Sequence, residues 1–577
     1  MKSKCIPYLI GGVIPALTGC QSAMNQVEAQ RPNIIWITCE DISPFMGAYG
    51  DGVVKTPNID QLAREGMRFT NMFTCAGVSS PSRAGIITGM YPTSVGTHHM
   101  RTLLSADQSK SIGVPPYSAV LPDYVKAFPE YLRRTGYFTS NNQKTDYQFE
   151  EPVTVWDECS SAADYSHAPE GKPLFSVNNL FITHESQTMV TSKHFEQHPE
   201  LLISPDQVTL PPYLPDTELG HETMARMLSN VQLMDWCLGQ IIQRLKDDGL
   251  YDNSYIFFFS DHGGNLPWTK REILERGTHI PFVIKYPKGE HAGEVCDDLI
   301  SSVDLAPTVL SLAGIEIPEH LQGQAFLGTQ ASKTKRQYVY AGRDRMDEHY
   351  DRVRSVRDKQ YRYLRNFMPD RPKYMDLVYR KGMAYMREIL DLHQQGKLND
   401  YQEEWFKPTK PVEELYDVVN DPDELHNLAE DPAYSAKLAE LRGVLQTWLD
   451  EVGDMASIPE KEMLHQWWNG ADTPPTTATP KLVKTKEGYQ LTCDTKGASI
   501  GYKILNAGEE PKKVKIPQQS YCMMWTFGVP NGTEVEVDTP WGVYVEGETI
   551  TLQPGQRLLV NAKRIGYQPV EKIFDID

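Results

Sequence analysis

Within Cys75–Gly89 (CAGVSSPSRAGIITG), a hydroxyl residue, Ser79, stands two positions before Pro81 and four before Arg83. Proline suits the first helical turn, where a missing N–H costs nothing. The spacing therefore predicts a helix beginning at Pro81, with Ser79 just before it and Arg83 one turn inside. Unpaired N–H groups at a helix start, with a guanidinium alongside, form an anion site. A small hydroxyl at that place is positioned to act on a bound oxyanion. The same pattern also serves as a plain helix cap.

Other reactive side chains follow short apolar runs. Glu40 and Asp41 come after Asn33–Thr38 (NIIWIT), and Asp261-His262-Gly263-Gly264 comes directly after Tyr255–Ser260 (YIFFFS). In open α/β sheets, ligands bind beyond the C-terminal ends of the strands. Acids and an imidazole there are ligands for a divalent cation, and oxygen-rich ligand sets favour Ca²⁺, with Mg²⁺ the alternative. Lys144 lies past the strand Gly136–Thr139, His184 past Phe175–Ile182, and Lys270 nine residues after Asp261. Gly96–Arg101 (GTHHMR) sets His98 and His99 side by side, lining either a polar pocket or a surface loop. Arg343, Arg345 and His349 fall on one polar loop, as surface charge or as substrate ligands.

Ser79-x-Pro81-x-Arg83 followed by Thr88-Gly89 resembles the signature of the type I sulfatases. Thr56–Ala63 (TPNIDQLA), the Ser260-Asp261-His262-Gly263 run, Lys270 and the Gly277-to-Pro281 turn recur in that family's order. The resemblance implies that Ser79 becomes formylglycine, whose hydrated aldehyde attacks sulfur. It implies one divalent metal on Glu40, Asp41, Asp261 and His262. Arg83, Lys144 and Lys270 would hold the sulfate, and His184 would protonate the leaving oxygen. The family often has a histidine two residues after this lysine; here that place holds Asp146. His98, His99 and Asp146 are the candidates for the second acid–base role, and Arg343 and Arg345 for substrate binding. The Leu266–Gly277 region looks most similar to the N-sulfoglucosamine sulfohydrolase branch, which leaves O-sulfate and N-sulfate open. Serine at the modified position implies a serine-type sulfatase-maturing enzyme as partner, and the substrate implied is a sulfated glycan fragment.

These residues need a scaffold. Strands and helices alternate over residues 31–337, which predicts a mainly parallel sheet with helices on both faces, alkaline-phosphatase-like by the resemblance. Expected helices include 58–67, 124–135, 222–247 and 302–310. Residues 338–470 change to short strands closed by a leucine-faced helix at 436–452, a small α+β subdomain. A Thr/Pro-rich linker at 471–481 leads to short strands and turns over 482–577, read as an appended β-sandwich that either packs on the catalytic domain or helps hold a glycan.

The start of the chain reads as an export signal. Lys2 and Lys4 precede an apolar run too short for a permanent span, and Leu17-Thr18-Gly19-Cys20 resembles a bacterial lipobox. A signal peptide at 1–19, lipidation of Cys20 and a polar tether at 20–30 are expected, placing the protein in the periplasm or on the outer-membrane surface, with the lipid its one membrane contact. The remaining cysteines show no metal spacing; a Cys493–Cys522 disulfide is one option and buried thiols the other. A net charge of −19 opposes general nucleic-acid binding but permits a locally positive pocket for an anionic substrate. Two rival classes remain open at this point. A phosphatase or phosphodiesterase would need a second metal, for which the sequence has too few ligands. A non-catalytic glycan-binding lipoprotein would need no modified serine.

Overall fold

The computed structural model describes residues 31–103, 112–518 and 532–576. The expected signal peptide, tether and lipidated Cys20 lie outside the described residues, as does Cys522.

One sheet holds β1 (Asn33–Cys39), β2 (Met67–Phe73), β3 (Phe138–Asn141), β4 (Glu158–Cys159), β5 (Leu174–Leu180), β6 (Ser254–Ser260), β7 (His279–Lys285), β8 (Glu294–Cys296) and β9 (Ile300–Ser301). Its order is β4-β3-β5-β1-β6-β7-β2-β8, with β9 beside β2. From β4 to β6 every pairing is parallel. The central strands are apolar on both faces because both faces are covered. Ile35, Ile37 and Phe258 belong to one core, while Ile34, Trp36, Phe257 and Phe259 belong to the other, following the two-residue strand period.

Strand β7 runs antiparallel to both β6 and β2. A parallel neighbour needs a crossover to the opposite end of the sheet. Here the chain between Ser260 and His279 stays at one end and folds over the strand termini instead, which is where Asp261, His262 and Lys270 are needed.

Among the helices, α1 spans Pro57–Glu65 and α2 spans Ser79–Thr88, so Ser79 is itself the first helical residue rather than the one preceding the helix. The helix expected at 124–135 is α3, Pro129–Arg134. Pro129 cannot continue a helix from residues before it, but its fixed φ starts one well. Helix α4 runs Glu218–Asp247, four residues earlier than its apolar pattern, because Thr217 caps it by accepting from Gly220 N at 3.0 Å. Its Met227, Val231, Met234, Leu238, Ile241 and Leu245 enter the core as their spacing requires.

The smaller subdomain is an antiparallel sheet of β10 (Val339–Arg343), β11 (Val353–Arg357), β12 (Tyr361–Asn366) and β13 (Glu413–Asp417), in that order. Helix α5 (Ser435–Val452) closes it with Leu438, Leu441, Leu445 and Leu449 against Val356, Tyr363 and Leu415. Helix α6 (Glu460–Trp467) follows.

The last module consists of antiparallel sheets: β14 (Lys481–Lys484) with β15 (Tyr489–Thr492), β17 (Lys513–Pro517) with β18 (Glu534–Asp538), and a four-stranded sheet of β16 (Ser499–Leu505), β19 (Gly542–Val543), β20 (Arg557–Lys563) and β21 (Val570–Asp575). It packs on the catalytic domain. Ser499 Oγ donates to Glu130 Oε2 at 2.7 Å and accepts from Lys126 Nζ at 2.8 Å, and Ile565 joins the sheet core. Cys493 is a free thiol facing Ala478 O at 3.2 Å.

Candidate active site

The C-terminal ends of β1 and β6 lie side by side, Cys39 opposite Ser260, so the residues that follow them meet. Glu40, Asp41 and Asp261 are each 1 % exposed and His262 is fully buried. Asp41 adopts a left-handed φ of +55°, a conformation that short polar residues tolerate better than most. This turns its backbone N–H toward Asp261 Oδ1 at 3.2 Å. Its Oδ1 lies 2.8 Å from His262 Nε2, and its Oδ2 accepts from Lys270 and from Glu185 N.

Helix α2 delivers Ser79 and Arg83 to this cluster. The helix is buried throughout, and the approach to it is close: a side chain on Gly77 would place a Cβ 2.0 Å from Glu272 O. Ser79 Oγ lies 3.1 Å from His262 Nε2. Arg83 spreads its nitrogens over Asp261 Oδ2 (3.1 Å), Asn179 Oδ1 (3.2 Å) and Glu40 Oε1 (2.7 Å). Lys144 Nζ sits 3.4 Å from Glu40 Oε2 and 2.8 Å from Asp146 Oδ2. Asp146, 44 % exposed at its side chain, stands on the open side.

The electrostatics are those of carboxylates forced together. Burial raises the Glu40 carboxyl, against the pull of Lys144. Burial alone would raise Asp41 too, but Lys270 foremost outweighs it and holds Asp41 well below the usual carboxylate range. At His184, burial and then Lys270 lower the imidazole to about 3. Its Nδ1 accepts from Ser186 N at 3.2 Å, which leaves the ring hydrogen of the neutral form on Nε2.

A cation fits this donor set. His262 Nδ1 donates to Gly263 O at 2.9 Å, so a neutral ring turns its Nε2 lone pair to Asp41 Oδ1 across 2.8 Å, and something positive must lie between the two acceptors. Among the described residues, Asp41 Oδ1 and Glu40 Oε2 are buried without a hydrogen-bond donor. Oxygen and imidazole atoms of Asp41, Asp261 and His262 lie within 4.8 Å of one another, as do those of Glu40, Asp41 and His184. Buried acceptors left unpaired are costly unless something positive satisfies them.

Not every expected residue reaches this centre. Arg343 shares its guanidinium between Glu272 and Asp351, the latter at 2.5 Å. Arg345 is bidentate to Glu460 at 2.7 Å on both arms. A substrate contact by either would have to break a buried ion pair. His98 and His99 are buried with ring centroids 4.2 Å apart. His99 Nδ1 accepts from Arg345 N at 3.4 Å, and neither ring nitrogen of His98 has a hydrogen-bond partner among the described residues. Burial lowers both imidazoles, His99 well below the usual range. Sequence reasoning passed over Asn179, whose Nδ2 donates to Asn141 and Asn142 at 2.9 Å, and Glu185, bound by Arg271 at 2.8 and 3.0 Å. Both lie at the end of β5, the position that singled out His184, and that placement was the available signal.

A profile described as Sulfatase matches residues 32–315, and one described as N-sulphoglucosamine sulphohydrolase, C-terminal, matches 263–404. An ulvan-active sulfatase of Formosa agariphila is 41% identical over 538 residues, which cover 88% of this chain and 89% of that protein. The N-sulphoglucosamine sulphohydrolase of Homo sapiens is 24% identical over 486 residues, 76% of this chain and 94% of that protein. A solved structure in complex with its substrate D-glucosamine-2-N,6-O-disulfate superposes with a TM-score of 0.52 at 18% identity, covering 74% of this chain and 100% of that one. At that identity the likeness speaks for the fold.

Proposed function

The chain belongs to the sulfatase family and is a sulfuric ester hydrolase acting on sulfated carbohydrate, and we propose that it works through a formylglycine made from Ser79 beside one divalent cation. The observation that carries this reading is the 3.1 Å approach of Ser79 Oγ to His262 Nε2, within a cluster of buried acids in which Asp41 Oδ1 and Glu40 Oε2 have no hydrogen-bond donor among the described residues. Glu40, Asp41, Asp261 and His262 would hold the cation, which when bound neutralises sulfate charge and favours ionisation of the attacking hydroxyl. The oxygen-rich donor set favours Ca²⁺. Hydrated formylglycine at position 79 supplies the oxygen nucleophile, and its second hydroxyl restores the aldehyde as sulfate leaves.

The chain's own side chains do the rest. Arg83 and Lys144, both tied to Glu40, fix positive charge beside the helix start, and Lys270 does so from the Asp41 side. His184 Nε2 carries the hydrogen offered to the departing sugar oxygen. Among His98, His99 and Asp146, the proton acceptor for the second half-reaction is Asp146. It shares Lys144 with Glu40, whereas the two histidines lie against Arg345 and Asp344.

The substrate we propose is a fragment of a sulfated polysaccharide of the ulvan kind, on the strength of the 41% identical relative. We further propose that the protein is exported and anchored through lipidated Cys20, and that a serine-type maturing enzyme modifies Ser79. Mass spectrometry of the peptide containing residue 79, from protein made in its native host, tests the central step. A peptide two hydrogens lighter than the serine form is expected; unmodified serine alone, in protein that releases sulfate, would overturn it.

A further inference from the structure

Val78 and Met346 belong to one buried apolar cluster, and Met100 packs against it. The residues that follow these three are Ser79, Asp347 and Arg101, so the nucleophile position, an acid and a guanidinium all spring from a common packing point. Arg101 Nη1 lies 3.0 Å from Asp347 Oδ1, and its guanidinium carbon lies 4.5 Å from the ring centre of Tyr379. The same ring carries Arg271 at 5.9 Å, and Arg271 grips Glu185, whose N–H donates to Asp41 Oδ2 at 2.7 Å. Arg101 is thus connected to the catalytic cluster through Tyr379, Arg271 and Glu185.

The neighbouring arginines are committed: Arg271 to Glu185, Arg343 to Glu272 and Asp351, Arg345 to Glu460. Arg101 differs. Its side chain is 28 % exposed, against 3 % for Arg343 and 0 % for Arg345. Arg101 and Asp347 both hold left-handed backbone, at φ +54° and +48°. Non-glycine residues keep such conformations where the surroundings enforce them, and these gather at ligand sites. A chain of net charge −19 repels a polyanion at long range, so an exposed cation beside the centre has electrostatic work to do.

We infer that Arg101 is a specificity residue. Building on the hydrolase reading above, it receives a second anionic group of the substrate, a carboxylate or another sulfate near the one being cleaved. Asp347 and Tyr379 hold the guanidinium in place, so little side-chain freedom is lost when it binds, and its planar edge matches an oxyanion. Arg101 does not touch the reacting atoms; it selects which sulfate is presented to them.

The test compares wild type, Arg101→Ala and Arg101→Lys on three esters: a sulfated oligosaccharide bearing carboxylates, the same oligosaccharide with its carboxylates reduced to alcohols, and nitrocatechol sulfate. Arg101→Ala is expected to raise KM for the acidic oligosaccharide about tenfold or more, with kcat held within about threefold and nitrocatechol sulfate turnover unchanged. Arg101→Lys recovers part of the loss. A penalty that vanishes on the reduced oligosaccharide assigns the partner as a carboxylate; one that persists assigns it as a sulfate. Equal loss on nitrocatechol sulfate, or an unchanged KM for the acidic oligosaccharide, overturns the inference. If wild type releases sulfate from none of them, the hydrolase reading falls instead. Calorimetric titration of the acidic oligosaccharide then still decides Arg101, since equal affinity in wild type and Arg101→Ala refutes its role.

Discussion

Ser79 Oγ and His262 Nε2 stand 3.1 Å apart although 183 residues separate them in the chain. Helix α2 brings one and the end of β6 the other. Because His262 Nδ1 is occupied by Gly263 O, the ring turns its lone pair to the serine. Ser79→Ala deletes the oxygen and leaves the helix in place, since residue 79 needs no side chain to be helical. Sulfate release is expected to fall by about 10⁴-fold or more, as for loss of a covalent nucleophile, with an unchanged circular dichroism spectrum. Release within tenfold of wild type would place the nucleophile elsewhere.

Chelation should act on stability as well as turnover. Without a cation, Asp41 Oδ1 and the His262 lone pair confront each other at 2.8 Å, a repulsion that a bound ion converts to attraction. A ligand held at a hundred times its Kd stabilises the fold by about 2.7 kcal/mol. EDTA is therefore expected to lower Tm by several degrees and abolish sulfate release, with Ca²⁺ restoring both. Differential scanning fluorimetry after exhaustive chelation is the measurement; an unmoved Tm counts against a resident cation.

The leaving group tests His184. A residue that offers a proton to the departing oxygen matters most when that oxygen is a poor leaving group. His184→Ala should cost about 10²–10⁴-fold on a sugar sulfate and far less on a nitrophenyl sulfate, whose phenolate departs unaided. Equal losses on the two esters would mean that His184 orients the sulfate and transfers no proton.

That Glu40, Asp41, Asp261 and His262 meet was legible because they sit directly after apolar runs, where adjacent parallel strands gather such residues. Glu40-Asp41 and Asp261-His262 are short-range signals. The antiparallel course of β7 was not legible, since the apolar run HIPFVIK reads the same in either direction. Nor was β13, EELYD, whose alternation is broken by a buried glutamate; Glu414 points inward because Lys373 meets it at 2.6 Å and Asn366 Nδ2 donates to it at 2.7 Å. Arg345 looked available because its partner is distant, and Arg343 because one of its two, Glu272, lies 71 residues away. Glu460, which binds Arg345, comes 115 residues later, on a helix whose acidic start reads as surface. Charge partners that far apart leave no periodicity to detect.

Two glutamates that share Arg362 should give stability opposite pH slopes. Arg362 Nη2 lies 2.7 Å from Glu275 Oε1 and its Nε 3.2 Å from Glu424 Oε1. Burial pushes Glu424 up to about 7, whereas at Glu275 burial is outweighed by Arg357 and Arg362, which bring it down to about 2. The unfolded value for both is 4.5. For Glu424 the folded value is the higher one, so its contribution is present below pH 4.5 and is lost as pH rises through about 7. For Glu275 the folded value is the lower one, so its contribution is present above pH 4.5 and is lost as pH falls toward about 2. Glu424 Oε2 accepts from Glu275 N at 2.8 Å, and an amide oxygen at the same place would accept that bond too. Glu424→Gln is therefore expected to raise Tm at neutral pH and leave it nearly unchanged near pH 4.5. Melts across that range check it, and parallel curves for the two proteins would refute it.

The final module should behave as part of the enzyme's fold. Gly566, at φ +88°, would bring a Cβ within 2.5 Å of Val120 Cα, and Gly497, at φ +77°, within 2.2 Å of Asp123 O. Only backbones without side chains can approach so closely, and both glycines face the catalytic domain. Between them the Lys126–Glu130–Ser499 contacts bury charge that would be left partly unpaired if the module detached. Gly566→Ala combines the left-handed strain with a backbone clash and is expected to cost about 1–3 kcal/mol of stability. Sulfate release per folded molecule should not change, because Gly566 meets Val120 and Ala119 and none of the catalytic side chains. Chemical denaturation paired with initial-rate assays separates the two quantities. A loop-only attachment would predict no stability change, and would also let a chain ending at residue 470 melt like the whole protein. The buried Glu130 carboxylate, deprived of Ser499, argues that such a chain melts well below it.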